Sequence, residues 1–328
     1  MAGLIARHHQ DEDAAREHLE KIRWPEGPIC PHCGIINEAT KLEPREGAKT
    51  HARKGTYKCR ACERQFTVTV GTIFEDSKIP LHKWMLAIHL MCSSKKGISA
   101  HQLMRNLEIG SYRTAWFMAH RIRWMLGQEP IASKLKGIVE IDEVWIGGKE
   151  KGPYSKPPEG LRPPEEIIGA SKKKAPKSKK TPVVAFLERD GNVRSVAMDR
   201  VTGENVRPML KEFVEEGTHM MTDGANKLKL TRHGWKHSSV NHHAGEYVRH
   251  DDGVVITTNT IESYFAIVQR GIHGIFHHVG KQYLDQYLRE FDFRYNVRKM
   301  DDGSRTLLAI SKSTGKRLML KEPKQAKM

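Results

Sequence analysis

Two sets of residues in this sequence have the types and spacing that chemistry uses. The first is Cys30-Pro31-His32-Cys33 with Cys59-Arg60-Ala61-Cys62, a pair of CxxC knuckles. Each knuckle offers two thiolates, and four thiolates close the tetrahedral shell of a structural Zn²⁺. His32 could replace one of them, but it lies inside a knuckle whose turn the flanking sulfurs already use. The second set is acidic. Gly137–Gly148, GIVEIDEVWIGG, reads as a buried or half-buried strand through Ile138, Val139, Ile141, Val144, Trp145 and Ile146, interrupted by Glu140, Asp142 and Glu143. Burying an acid without a partner is costly, so these are paired, protonated or holding a metal, unless the strand is a sheet edge with solvated acids. Downstream, HMMTDG ends a short apolar strand in Asp223 and then Gly224. TNTIESYFAIVQR reads as a helix with Ile261, Phe265 and Val268 as its apolar stripe and Glu262 beside it.

Strand acid, strand acid, helix acid is the order in which a ribonuclease H-like fold brings three carboxylates together. Hard oxygen ligands suit Mg²⁺ or Mn²⁺, and a pair of such ions serves in-line phosphoryl displacement. The elements between the acids fit that order. Pro182–Leu187 and Val193–Met198 flank an Asp190-Gly191 turn and read as a hairpin. Glu204–Glu215 reads as a helix, Thr218–Thr222 as the strand that delivers Asp223, and Ser238–His242 as a short fifth strand. Lys281–Arg298 is a second late helix whose Leu284, Tyr287, Leu288, Phe291 and Tyr295 are core positions. His233, His237, His242, His243 and His250 match no compact ligand spacing, which favours phosphate-facing or solvent-facing roles.

Ahead of the acidic region, Asp11–Ile22 reads as an amphipathic helix and the knuckles with their alternating flanks as a zinc ribbon. Ile79–Ser94, Ser99–Leu107 and Ser111–Leu126 read as three helices, with Ser99 an N-cap. The third carries Arg113, His120, Arg121 and Arg123 among aromatics, as a helix-turn-helix does in the helix that enters the major groove. A three-helix packing unit with a solvated basic face is the alternative. Cys92, in an apolar run, is a core thiol. The fold expected is therefore multidomain α+β: an N-terminal helix over 1–28, a zinc ribbon over 29–76 and a helix-turn-helix-like region over 77–130. A ribonuclease H-like α/β catalytic domain follows over 137–300, with a proline- and lysine-rich insert at 150–181, and then a basic tail over 301–328. The insert, with SKKKAPKSKK at Ser171–Lys180, is either a solvated excursion or a flexible phosphate-binding arm.

At 328 residues the chain has room for two or three domains. Its 55 Lys and Arg against 39 Asp and Glu leave a net charge of +16, which points to a polyanionic partner, nucleic acid before an anionic membrane. No stretch approaches the roughly 18 consecutive apolar residues of a membrane span, and no signal-type core is present, so a cytoplasmic protein is expected. Five cysteines in that setting argue against a disulfide framework.

Together, Cys30–Cys62, the basic helical region, VEIDEVWIGGK, MTDG, TNTIESYF, QRGIHGIFHHV and YLREFDFRYNVR resemble the DDE-type transposases of the insertion sequence 1595 family, relatives of the eukaryotic Merlin elements. The resemblance spans nearly the whole chain, and the order and spacing of the motifs make it specific. It implies a prokaryotic, nucleoid-associated transposase that binds the terminal inverted repeats of an insertion sequence, cleaves DNA in a Mg²⁺-dependent reaction and joins the freed 3′-hydroxyl to a target. Double-stranded DNA, as element ends and target, is the implied partner, with the chain acting as a homo-oligomer on it. Asp142, Asp223 and Glu262 are the implied catalytic and metal-binding triad. Some members are similar but use an asparagine as third ligand. Asn259, three residues earlier on the same helical face, is that alternative, and Glu262 is preferred because a carboxylate holds Mg²⁺ better than an amide. Where the family usually has a lysine seven residues after the third acid, this chain has Gln269 followed by Arg270, which is then the candidate phosphate contact. Two other functions fit the same features: a DNA-binding regulator with a degenerate catalytic domain, and a nuclease of this fold that cleaves without joining.

Overall fold

A computed structural model describes residues 3–43, 53–127, 134–147, 180–223 and 235–315. Gly148, Gly224, His233, the lysine-rich arm before Lys180 and residues 316–328 lie outside the described residues.

The first helix, α1 (Glu12–Arg23), starts where the Asp11 side chain accepts the Ala14 N–H, and it buries Ala15 and Leu19. Strands β1 (Ala39–Lys41), β2 (Thr56–Cys59) and β3 (Gln65–Thr67) form an antiparallel ribbon in that order. Three helices follow, α2 (Leu81–Ser93), α3 (Ala100–Asn106) and α4 (Tyr112–Leu126), each within three residues of its expected bounds. Ser99 caps α3 by accepting from Gln102 N at 3.2 Å. Leu19, Tyr57, Phe66, Trp84, Leu103 and Ile122 all belong to one buried cluster. Three short strands have too little interior to bury such rings alone. The ribbon and the helices therefore share a core, and residues 28 and 76 divide the sequence without dividing that core.

The second part is built on a five-stranded sheet of β4 (Ile138–Ile146), β5 (Thr181–Glu188), β6 (Val193–Ala197), β7 (His219–Asp223) and β8 (Lys236–Val240). Its order is β6-β5-β4-β7-β8. The first three strands are antiparallel neighbours, while β7 and β8 run parallel to β4. That order and those directions define a ribonuclease H-like sheet. Helix α5 (Gly203–Phe213) covers the face formed by Val139, Ile141, Val184, Phe186 and Met220. A two-stranded hairpin, β9 (Arg249–Asp251) and β10 (Val254–Ile256), leads into α6 (Asn259–Gly271), and α7 (Leu284–Asn296) follows. Both helices pack on the other face, against Ile146, Val183, Ala185 and Leu187. Trp145, read from the sequence as part of the apolar strand, is 47% exposed: it shares the face of Val139 and Ile141, but near the strand end, outside the cluster that α5 covers.

Helix α7 also protects the sheet edge. The β6 amides of Val193, Ser195 and Ala197 donate to Asn296 Oδ1 at 2.7 Å, Asp292 Oδ2 at 2.9 Å and Asp285 Oδ1 at 3.0 Å. Successive outward N–H groups of an edge strand are thus capped by one helix face, which blocks strand addition there.

The described part of the segment read as a basic tail over 301–328 is a helix and not only a tail. It opens with α8 (Asp302–Ser311), capped by Asp301, and buries Thr306, Ala309 and Ile310. His89 of α2 lies 3.0 Å from Thr306 Oγ1. Helix α8 thereby packs into the N-terminal core through Ala309 and Ile310.

Candidate functional site

In the ribbon, the Cys30 and Cys62 sulfurs are 3.6 Å apart and those of Cys33 and Cys59 3.7 Å. All four ligand atoms lie within 4.8 Å of one another. A tetrahedral shell with bonds of about 2.3 Å separates its sulfurs by about 3.8 Å, so this cluster fits zinc without rearrangement. Burial opposes ionisation of Cys30, yet the His32 and Cys33 amides at the knuckle turn outweigh it and draw the thiol down to about 6. Ile35 N–H favours the Cys33 thiolate, but desolvation and the three neighbouring sulfurs push that thiol up to about 12. Four thiolates this close need a cation. His32 is turned to the Gln65 carbonyl, 3.3 Å away, rather than to the sulfurs. Cys92 is a buried thiol pushed up to about 12 by desolvation, as a core position requires.

The acids belong to the five-stranded sheet and to α6. Parallel pairing matches Ile141 of β4 with Thr222 of β7, and one step further places Asp142 beside Asp223 on the same face of the sheet. Glu262, in the first turn of α6, lies on the helix layer of that face, near enough for its charge to act on Asp142. Burial raises the Asp142 carboxyl to about 6; the Glu143 amide opposes this, and the charges of Glu143, Asp223 and Glu262 reinforce it. Asp223 and Glu262 are partly open to solvent, with 39% and 45% side-chain exposure, so ligand can reach them. Hard oxygen donors that repel one another suit a divalent cation by their chemistry, while among the described residues the four cysteines are the group whose ligand atoms already stand close enough together to enclose a metal.

Two residues of this centre have roles that their local sequence did not reveal. Glu140, fully buried, accepts the Ile261 N–H at 2.9 Å and so caps the start of α6 with a strand carboxylate. Arg189 donates to Glu140 Oε1 from Nε and Nη2, at 3.1 and 2.9 Å, and to the Val255 and Thr257 carbonyls. The pair ties β4, the turn after β5 and the approach to α6 into one clamp beneath Glu262. The other residue is His242, whose Nδ1 is 3.6 Å from Asp223 Oδ2 and 3.5 Å from Glu262 Oε1. Its place between the acids comes from β8 running beside β7, a pairing that histidine spacing cannot disclose.

Asn259, the alternative third ligand, is exposed at the first position of α6, and its backbone N–H donates to Thr257 Oγ1 at 3.2 Å. Glu262 contacts His242 and adds to the charge that Glu143 and Asp223 place on Asp142. Of the basic residues expected at DNA, Arg113 and Arg270 are exposed. Arg121 and Arg123 are not, and their expected DNA contact is corrected here. Arg123 is 1% exposed and pairs with fully buried Glu290 of α7 at 2.6 Å, its guanidinium 3.8 Å from the Tyr287 ring centre. Arg121 donates to the Glu75 carbonyl at 3.0 Å and lies over Trp84. The second half of α4 is the joint between the helical region and α7, so its cations face inward; only its first turn, with Arg113, is open to a polyanion.

A zinc ribbon and three-helix unit joined to a ribonuclease H-like sheet with an acidic centre is the architecture of a DDE-type transposase. The matches with known proteins name the family. Residues 134–296 match the ISXO2-like transposase domain and residues 10–65 the transposase zinc-ribbon domain of the insertion sequence 1595 family, and the chain belongs to that family. An uncharacterised protein in the transposable element ISH50 of Halobacterium salinarum is 28% identical over 296 residues, covering 87% of this chain and 91% of that protein. Among solved structures, the Mos1 strand transfer complex is similar at 13% identity over 70% of this chain and 78% of that one, with a TM-score of 0.26. The Mos1 transposase paired-end complex with left transposon end has a TM-score of 0.20, at 13% identity over 68% and 78% of the two chains. At those TM-scores the likeness adds nothing to the fold, which strand order and direction define. No helix among the described residues is long and apolar enough to cross a membrane.

Proposed function

We propose that this chain binds the ends of an insertion sequence and catalyses divalent-metal-dependent DNA cleavage and strand transfer at Asp142, Asp223 and Glu262. The observation that carries the reading is the convergence of these three carboxylates, from two adjacent parallel strands and a helix start, on one solvent-accessible end of the sheet. Asp142 and Asp223 form the rigid side of the centre, since both are held in paired strands. Glu262 forms its adjustable side, placed by the Glu140–Arg189 clamp at the first turn of α6. Mg²⁺ or Mn²⁺ bound by these acids would supply charge stabilisation for attacking and leaving oxygens. Asp142, raised toward neutrality without a cation, must give up its proton to serve as a ligand. His242 stands between the two outer acids, within about 3.6 Å of each. Arg113 and Arg270 contact phosphates, the ribbon is held by zinc, and the chain works as an oligomer on paired ends.

The test is an assay of purified protein with linear DNA carrying the inverted repeats that flank its gene, with Mg²⁺ and a target duplex. Nicking at the ends followed by joining supports the proposal. Nicking without joining would make the protein a nuclease, and specific binding without cleavage would make it a regulator.

A further inference from the structure

Helix α6 continues past Glu262, and on the same face it presents Ala266, Gln269 and Arg270. Its last turn passes into one turn of π-helix, Ile272–Phe276, which adds His273; such turns are frequent at functional sites. Opposite them stands the turn between α2 and α3, with Lys96. Between the two lies a cleft of about 650 Å³ lined by Lys96, Ala266, Gln269, Arg270, His273 and Gly274. Among the described residues, its lining contains two permanent cations, an imidazole and an amide, and no carboxylate. Lys96, Gln269, Arg270 and His273 are all exposed toward solvent.

Two glycines hold the walls together. A Cβ on Gly271 would fall 2.7 Å from the Lys96 carbonyl oxygen and 2.5 Å from Phe291 Cζ, so the turn rests directly on the helix backbone. Gly97, with φ +103°, takes a conformation that L side chains avoid, and a Cβ there would meet Phe276 at 2.7 Å. Lys96 is thus presented by a docked turn against α6. From Glu262 to Gln269 the helix rises about 10 Å, or about three steps of a duplex at about 3.4 Å each.

We propose that Lys96 from the helical half of the chain, with His273, completes a phosphate-backbone subsite around Arg270, the phosphate contact already assigned to the catalytic half, and grips DNA about three nucleotides from the reacting phosphate. It rests on the reading of the acidic centre as the transposase site, and it makes Lys96 a substrate-positioning residue that spans the two halves of the protein. The ligand class is the anionic sugar-phosphate backbone, read without regard to base.

The experiment uses the full-length protein and a duplex carrying the inverted repeat that flanks its gene. Binding is measured across a salt series for wild type, Lys96→Gln, Arg270→Gln and a control, Lys211→Gln, whose exposed lysine lies on α5 across the sheet. Single methylphosphonate substitutions are then walked along the duplex. Each of the first two variants should make the slope of log K against log salt shallower by about 0.9, as loss of one phosphate contact does, and Lys211→Gln should not. One methylphosphonate position should weaken wild type and leave Lys96→Gln unaffected. A Lys96→Gln protein with the wild-type slope and the wild-type methylphosphonate profile would overturn the proposal. Binding that depends on Lys96 in a protein unable to cut or join in Mg²⁺ would refute the transposase reading while supporting the cleft, and wild type without affinity for DNA would refute both.

Discussion

Replacing Glu140 by Gln tests the clamp that places Glu262. The amide keeps an oxygen for Ile261 N–H but removes the charge that faces Arg189, so the guanidinium is left with the Val255 and Thr257 carbonyls. Removing one partner of a buried ion pair costs about 3–5 kcal/mol. Glu140 is fully buried but the Arg189 side chain is 21% exposed, and solvent screens part of the loss, which brings it to about 2–3 kcal/mol. With a urea dependence at the upper end for single domains, this is a midpoint shift on the order of 1 M, measurable by tryptophan fluorescence. A second effect should be separable from the first. Below the unfolding transition, the variant should bind Mn²⁺ more weakly, because the first turn of α6 has lost its strand anchor. Replacing both residues, Glu140→Leu with Arg189→Leu, should cost less than the sum of the single changes, since neither charge is then stranded. Unchanged urea midpoint and Mn²⁺ affinity in Glu140→Gln would refute the clamp.

Other consequences can be measured in parallel. Elemental analysis should find one zinc per chain, lost together with the ribbon's share of the N-terminal core in Cys59→Ser; native protein without metal would contradict the site. Arg123→Met should destabilise the protein by about 3–5 kcal/mol and leave the salt dependence of DNA binding unchanged, because its charge is spent on Glu290; a shallower salt slope at wild-type stability would return Arg123 to the DNA. Burial raises the Asp292 carboxyl from 3.8 to about 7, against the pull of hydrogen bonds from Tyr264 and Ser195. The folded state therefore retains a proton there that the unfolded chain releases above pH 3.8, so this contribution to stability is full at low pH and is lost as pH rises to about 7. Asp292→Asn should flatten that decline in urea midpoints measured across the interval, and an unchanged slope would count against it.

The parts of the molecule readable from sequence were those set by short-range rules. Paired knuckles specify a zinc site because each brings two sulfurs to one turn, and the helices over residues 79–126 followed from apolar spacing and a serine cap. The succession of three strands, a helix and a strand followed from the alternation of apolar runs, and Asp190 does sit in a left-handed turn, with φ +62°, between β5 and β6. What escaped were properties set by distant partners. Arg121 and Arg123 have the composition of a groove-binding helix, and only the arrival of Glu290 from a helix far along the chain turns Arg123 inward. Glu140 and Asp142 are alike in the sequence, two residues apart on one strand face. Arg189 claims the first, and Asp223 and Glu262 gather around the second. His242 depended on the pairing of β8 with β7, and α8 was hidden because its apolar side is short and its surroundings are basic.

The central claim is that three acids, and not the asparagine beside the third, perform the chemistry. The measurement that addresses it most directly is Mg²⁺-dependent nicking and strand joining by Asp142→Asn, Asp223→Asn, Glu262→Gln and Asn259→Ala, with DNA binding followed on the same samples. Each acid-to-amide change removes a charge with little change of volume, so folding and DNA binding should survive while the rate falls by more than about 1,000-fold, a barrier increase of about 4 kcal/mol. Asn259→Ala should be milder. Full activity in Asp142→Asn or Asp223→Asn would contradict the account, and an active Glu262→Gln beside an inactive Asn259→Ala would transfer the third ligand to Asn259.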